Sequence, residues 1–222
     1  MSHANAQKQN DLYEDVLYRY AQGHLVSPLA VVINAHMESH PKAAHFVAGL
    51  EDIGGYFLEN TEPDCPVSDH LREATLSKIG SGEAVSPSRQ NKTLAKIEGL
   101  EDIPKALFAY IARSHKALSW RHLTEEIEFM CISDAPEGQT DAFFLRVKPN
   151  AVFPKHGHSS TEITFVLHGA VHDQDVRIRK GDIKICNETD EHAPKACPEA
   201  GCIALCVYED PISMDFFEGL FN

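Results

Sequence analysis

Residues 154–169 read PKHGHSSTEITFVLHG, with His156, His158 and Glu162 standing just ahead of an apolar run. Side chains on a strand alternate between its two faces, so histidines two positions apart project from the same face. Glu162 follows an even number of positions later and returns to that face. Downstream, GDIKICNETDEHAPKA (181–196) supplies His192 after a turn at Gly181 and a short apolar strand. Singly, each of these histidines reads as a surface or hydrogen-bonded residue of a strand pair. Together, three imidazoles and one carboxylate form a donor set suited to zinc, iron, manganese or nickel. The spacing therefore predicts a metal site made of His156, His158, Glu162 and His192.

The surroundings of this stretch have the same texture. After Ser119, the segments DAFFLRVKP (141–149), EITFVLHG (162–169), GDIKICN (181–187) and GCIALCVYE (201–209) are short, rich in β-formers and separated by turn residues. Short strands at such spacing predict a sandwich or barrel. His168 and His172 flank the turn expected after the second of these strands and read as solvated. Cys202 and Cys206 lie an even number apart and share a strand face, where they pack in the core or, alternatively, sense redox state.

The first half follows a helical period instead. In NDLYEDVLYRYAQG (10–23), Leu12, Tyr13, Val16, Leu17 and Tyr20 form one stripe, and Gly23 suits the position just past a helix end. A second helix opens at SPLAVVINAHMES (27–39), with Ser27 as its cap and Pro28 where a missing N–H is harmless. Pro41 ends that helix and starts a third, which runs towards Gly54 and Gly55. VSDHLREATLSKI (67–79) is a fourth, capped by Ser68. Leu29, Val32, Ile33, Phe46, Val47, Leu50 and Phe57 supply a core for these helices, while His24 and His45 read as surface residues. Residues 81–112 read as a linker with room for a short helix, between a helical domain (1–80) and a β domain (113–222).

Composition narrows the function. The chain has 222 residues, is 43% hydrophobic and 24% charged, and carries a formal charge of −13. Such an acid excess disfavours direct nucleic-acid binding and suits a basic protein partner. The longest apolar run, PLAVVINA (28–35), is far too short to span a bilayer, and the polar N-terminus lacks a signal-peptide core. A cytoplasmic location with no membrane contact is the expectation. The six cysteines lack CxxC spacing, so neither a disulfide framework nor a thiolate zinc knuckle is indicated.

The pattern H-x-H-x3-E-x6-G at His156, His158, Glu162 and Gly169, followed by Gly181, His192 and Pro194, resembles the two motifs of the cupin superfamily. The resemblance covers roughly residues 115–215 and implies a double-stranded β-helix barrel with the metal in its mouth. Residues 20–63, with the skeleton AxGxL…IxxHxxxxPxxA…GG, resemble the N-terminal domain of zinc-binding anti-sigma factors of the ChrR type, in which a helical domain precedes a cupin-like one. The fold class implied is α+β with two domains, a helical bundle and a cupin barrel.

That family's helical domain holds zinc through an upstream histidine and a His-x3-Cys-x2-Cys element. Here the matching positions are His36, His40 and Ala43, with Asp11 near the upstream one, so both thiolates are missing. Either Asp11, His36 and His40 form a weaker second metal site, or packing alone holds the helices. The family resemblance implies an anti-sigma factor with zinc in its cupin domain. Such a regulator sequesters an extracytoplasmic-function (ECF) sigma factor and releases it under stress, and a homo-oligomer is compatible with it. The rival readings are a cupin metalloenzyme, such as a dioxygenase or isomerase of a small acid, and a storage cupin with no regulatory partner.

Overall fold

The computed structural model describes residues 3–62, 67–80, 100, 102–112, 118–133 and 135–221. Cys65 and most of the expected linker, residues 81–99, lie outside the described residues.

Four helices come first: α1 (His3–Ala21), α2 (Ser27–Ser39), α3 (Pro41–Glu59) and α4 (Asp69–Gly80). The stripe read in α1 packs as expected, with Val16 and Leu17 buried and Leu12, Tyr13 and Tyr20 against them. α2 begins at Ser27 itself, with Val26 in the capping position and no side-chain cap. Ser68 does accept a hydrogen bond from the Leu71 amide at 3.3 Å, as a capping serine should. Gly54 and Gly55 do not end α3, which runs on to Glu59 because helical backbone is open to glycine at a modest entropic penalty. The expected helical core needs a larger correction. Leu29, Val32, Ile33 and Val47 are buried, whereas Phe46 and Phe57 are 36% and 65% exposed. Among the described residues, α3 buries Ala43 and Val47 in its first half, and its distal turns are largely exposed.

A short helix, α5 (Lys105–Ile111), falls within the stretch read as linker. Leu107 and Ile111 are buried there, and Glu38 of α2 accepts hydrogen bonds from the free Lys105 and Ala106 amides at its start.

The β half comprises β1 (Arg121–His122), β2 (Ile127–Cys131), β3 (Gln139–Val147), β4 (His156–Gly157), β5 (Glu162–Asp173), β6 (Val176–Arg179), β7 (Ile183–Cys186), β8 (Glu191–His192), β9 (Lys195–Ala196) and β10 (Cys202–Ser213), closed by helix α6 (Met214–Gly219). Among the described residues the main sheet runs β1-β2-β3-β10-β5-β6, with β7 and β9 also paired to β5, and β4 pairs β8 separately. Every pairing is antiparallel. β5 does not turn at Gly169 but continues to Asp173. Gly169 pairs with Cys202 of β10 just beyond a register irregularity, with φ +67°, where an added Cβ would meet the Gly201 carbonyl oxygen at 2.1 Å. His168 is exposed and His172 half-buried along this continued strand.

Two-sided burial explains why the central strands read as nearly continuous apolar runs. One face, with Phe144, Ile163, Phe165, Ile203, Leu205 and Val207, shares a core with Val16, Leu17, Leu29, Val32, Ile33, Leu107 and Ile111 of the helices. The other face, with Phe143, Leu145, Thr164, Ala204, Cys206 and Tyr208, lines the barrel interior.

Candidate metal centre

The β4–β8 pair places His156 directly opposite His192, and His158 follows at the exit of β4. The three rings converge. His192 Nε2 lies 3.1 Å from His156 Nε2 and 3.2 Å from His158 Nε2. The opposite nitrogens are already committed. His156 Nδ1–H donates to the Pro154 carbonyl at 2.8 Å, and His192 Nδ1–H donates to Asp173 Oδ2 at 2.9 Å. His158 Nδ1 stands 3.0 Å from Glu162 Oε2, with the two side chains 1% and 5% exposed.

With their protons on Nδ1, the three Nε2 atoms present bare lone pairs to one another. Burial lowers the pKa of His156, only partly offset by the Glu162 charge, so this ring stays neutral at pH 7. Lone pairs at such distances repel unless a cation sits among them. Nitrogens bound to one metal at about 2.0–2.1 Å lie about 3.3 Å apart in tetrahedral and about 2.9 Å apart in octahedral geometry. The observed spacings fall between these values, so the residues present fit a metal ion. Among the described residues, His156, His158 and His192 are the group whose donor atoms converge in this way.

Glu162 adds a second sign of fit. Its Oε1 accepts from the Thr164 hydroxyl at 2.8 Å, but its buried Oε2 has no well-aligned donor. Burial alone would raise its pKa; His158 and His156 outweigh that and hold it down at about 2. The carboxylate stands against His158 Nδ1, one step behind the converging nitrogens, and is not among the donor atoms that converge. When bound, an ion here would supply a fixed positive charge that ties the β4 segment to β8.

Sequence reasoning missed the residues that orient these ligands. Asp173, at the far end of β5, aligns His192 and lies 3.5 Å from Lys184 Nζ. Tyr208 stands opposite Glu162 in the β5–β10 register, where burial and the Glu162 charge push its phenol well up. Thr164 could have been found, because it is two residues beyond Glu162 on one strand face; the other two depend on strand register. The cavity behind the ligands has a volume of about 60 Å³ and is largely apolar. Cys202 and Cys206 line it, and burial raises both thiols, Cys202 to about 12, so they are neutral packing groups. The five cysteines among the described residues are free thiols.

The positions of the second expected site are engaged otherwise. His36 is buried, donates through Nδ1–H to the Gly181 carbonyl at 2.8 Å, and accepts at Nε2 from the Tyr13 hydroxyl at 2.9 Å. His40 stacks on His36 at 3.9 Å between ring centroids, and its Nε2 lies 3.1 Å from Asp182 Oδ1. Asp11 instead accepts from Gln7 at 2.7 Å. These contacts leave no nitrogen of His36 free for a ligand bond and join α2 to the β6–β7 turn. His24 and His45 are exposed.

A family model described as the ChrR cupin-like domain matches residues 110–210. These residues resemble a ChrR cupin-like domain. The likeness extends across the chain, which is 26% identical over 202 residues to the anti-sigma-E factor ChrR of Cereibacter sphaeroides, covering 91% of this chain and 90% of that one. A chain in the crystal structure of Rhodobacter sphaeroides SigE in complex with the anti-sigma ChrR superposes with a TM-score of 0.65 at 25% identity, over 87% of this chain and 95% of that one. The ChrR-like arrangement of helices ahead of a cupin barrel is therefore common to both. No helix among the described residues is long and apolar enough to cross a membrane.

Proposed function

We propose that this ChrR-like chain is an anti-sigma factor whose helices sequester an ECF sigma factor and whose cupin domain, holding zinc at His156, His158, Glu162 and His192, senses a stress. Its place of action is the cytoplasm, where such a partner meets RNA polymerase. Domain limits of 1–80, 81–112 and 113–222 remain our working division, with α5 serving as the inner end of the connecting segment. The helical part folds without metal, because His36 and His40 serve as a hydrogen-bonded junction with the barrel.

The observation that carries the partner is α4. Leu71, Leu76 and Ile79 are more than half exposed, and Ala74 is its most covered residue. An isolated helix shorter than about 12–15 residues is marginal in water, so a helix with its apolar residues uncovered gains its stability from a partner. The end of α3 offers a similar surface, with Ile53, Tyr56, Phe57 and Leu58 exposed beside Glu51, Asp52 and Glu59. An apolar face rimmed by acids suits a basic partner, and covering that partner occludes the faces it needs for polymerase or promoter DNA.

Co-expression with the ECF sigma factors of the same cell, followed by capture of the tagged chain, tests this reading. One sigma factor is expected to co-purify in equimolar amount. Leu71→Ser with Leu76→Ser is expected to weaken that capture about tenfold or more while leaving the melting of the barrel unchanged. Recovery of no sigma factor would remove the proposal's support. Elemental analysis is expected to give one zinc per chain; two ions would revive the site at Asp11, His36 and His40, and iron with oxygen uptake would turn the reading towards an enzyme.

A further inference from the structure

We propose that α1 is a strap that reads the metal centre: its two basic residues hold the segments flanking His192 and Glu162, so the state of the centre sets how firmly α1 is seated. The inference rests on the metal site proposed above.

Lys8 and Arg19 are the Lys and Arg residues of α1. They are eleven positions apart, about 16 Å along a helix rising 1.5 Å per residue. Lys8 Nζ donates to Asp190 Oδ1 at 2.6 Å and to the Thr189 hydroxyl at 2.7 Å. Those acceptors belong to a closed loop, in which Asn187 N–H donates to Asp190 Oδ2 at 3.0 Å and Thr189 N–H to Asn187 Oδ1 at 3.1 Å. The loop enters β8 and delivers His192. At the other end, the Arg19 guanidinium donates to both carboxylate oxygens of Glu209. Glu209 N–H donates to the Thr161 carbonyl at 2.9 Å, immediately before Glu162, and Tyr208 beside it pairs with Glu162 in the β5–β10 register.

One rigid helix is thus pinned to both sides of the centre. A shift of the His192 loop relative to Glu162 cannot satisfy both pins with α1 unmoved. α1 in turn carries the change outward, since Tyr18 packs edge-on against Phe46 of α3 at 5.5 Å between ring centroids. α3 bears the apolar end assigned above to the partner.

Hydrogen–deuterium exchange on the full chain, zinc-loaded and then stripped by a chelator, tests the strap, with metal content measured on the same samples. Stripping is expected to speed exchange of the α1 amides between Lys8 and Arg19 by about tenfold. In Lys8→Glu, α1 exchange is expected to be fast with or without zinc, whereas Lys8→Arg, which keeps the donor to Asp190, is expected to retain the zinc dependence. A chain that binds zinc but shows the same α1 exchange in both states overturns this inference alone. A chain that takes up no zinc overturns it together with the metal site.

Discussion

Asp173 shows how much of the centre depends on a residue that donates nothing to a metal. Its carboxylate fixes the His192 proton on Nδ1 and leaves Nε2 as the free lone pair. The bond to His192 and the charge of Lys184 hold its pKa low against the effect of burial. Asp173→Asn keeps the shape and removes the charge, so zinc affinity is expected to fall about 10–100-fold, the usual effect of losing such a partner. Competition with a chromogenic chelator measures this, and an unchanged affinity would mean that the β4–β8 pair alone orients the ring. The convergence of His156, His158 and His192 was legible in the sequence because a strand's period of two is local and the last histidine follows its own turn signal. Asp173 and Tyr208 were not, because they reach the site across strands. Which residue faces Glu162 depends on a register that no local spacing records.

At the scale of elements, the strands were legible as strands, but their coverage was not. CIALCVY in β10 lacks clean alternation because its odd residues meet the helices and its even residues line the barrel. The helices misled for the complementary reason: an apolar face predicts a cover without saying whether the cover is the same chain or a partner, as Phe57 illustrates. Gly181 joins the two kinds of element. It was read as a turn and motif residue, yet at φ +89° its vacant Cβ position lies 3.2 Å from Ser39 Cβ, so the end of α2 rests on the β6–β7 turn. Gly181→Ala places a side chain in left-handed backbone at about 1–2 kcal/mol and pushes Ser39 away. Thermal unfolding of the metal-loaded chain is expected to drop by about 2–4 °C per kcal/mol, with zinc content unchanged. Loss of zinc in this variant would show instead that the turn positions β7 and Lys184 for the centre.

For the molecule as a whole, the junction of helices and barrel carries a pH dependence centred on His36. Burial lowers its pKa from 6.5 to about 4, with the neighbouring His40 adding to the effect and the Gly181 carbonyl and Asp182 opposing it. Protonation would add a proton at Nε2, where Tyr13 now donates, and would place a charge beside His40; Asp182 is the nearby acid that softens this. Between these two pKa values the unfolded chain binds more protons than the folded one, so stability rises with pH across that window. The contribution is complete above pH 6.5 and is lost as the pH falls towards 4, amounting to about 3 kcal/mol at most from 1.36 kcal/mol per pKa unit. His36→Gln keeps a donor and an acceptor at this junction but cannot titrate. Urea unfolding of both chains at pH 7.5 and 4.5, with chelator present so that the barrel histidines titrate alike in each, isolates the difference. The natural chain is expected to lose about 2 kcal/mol more than the variant. Parallel losses would mean that the junction is wet enough to protonate His36 without opening, and that the helices are held to the barrel by the shared apolar core alone.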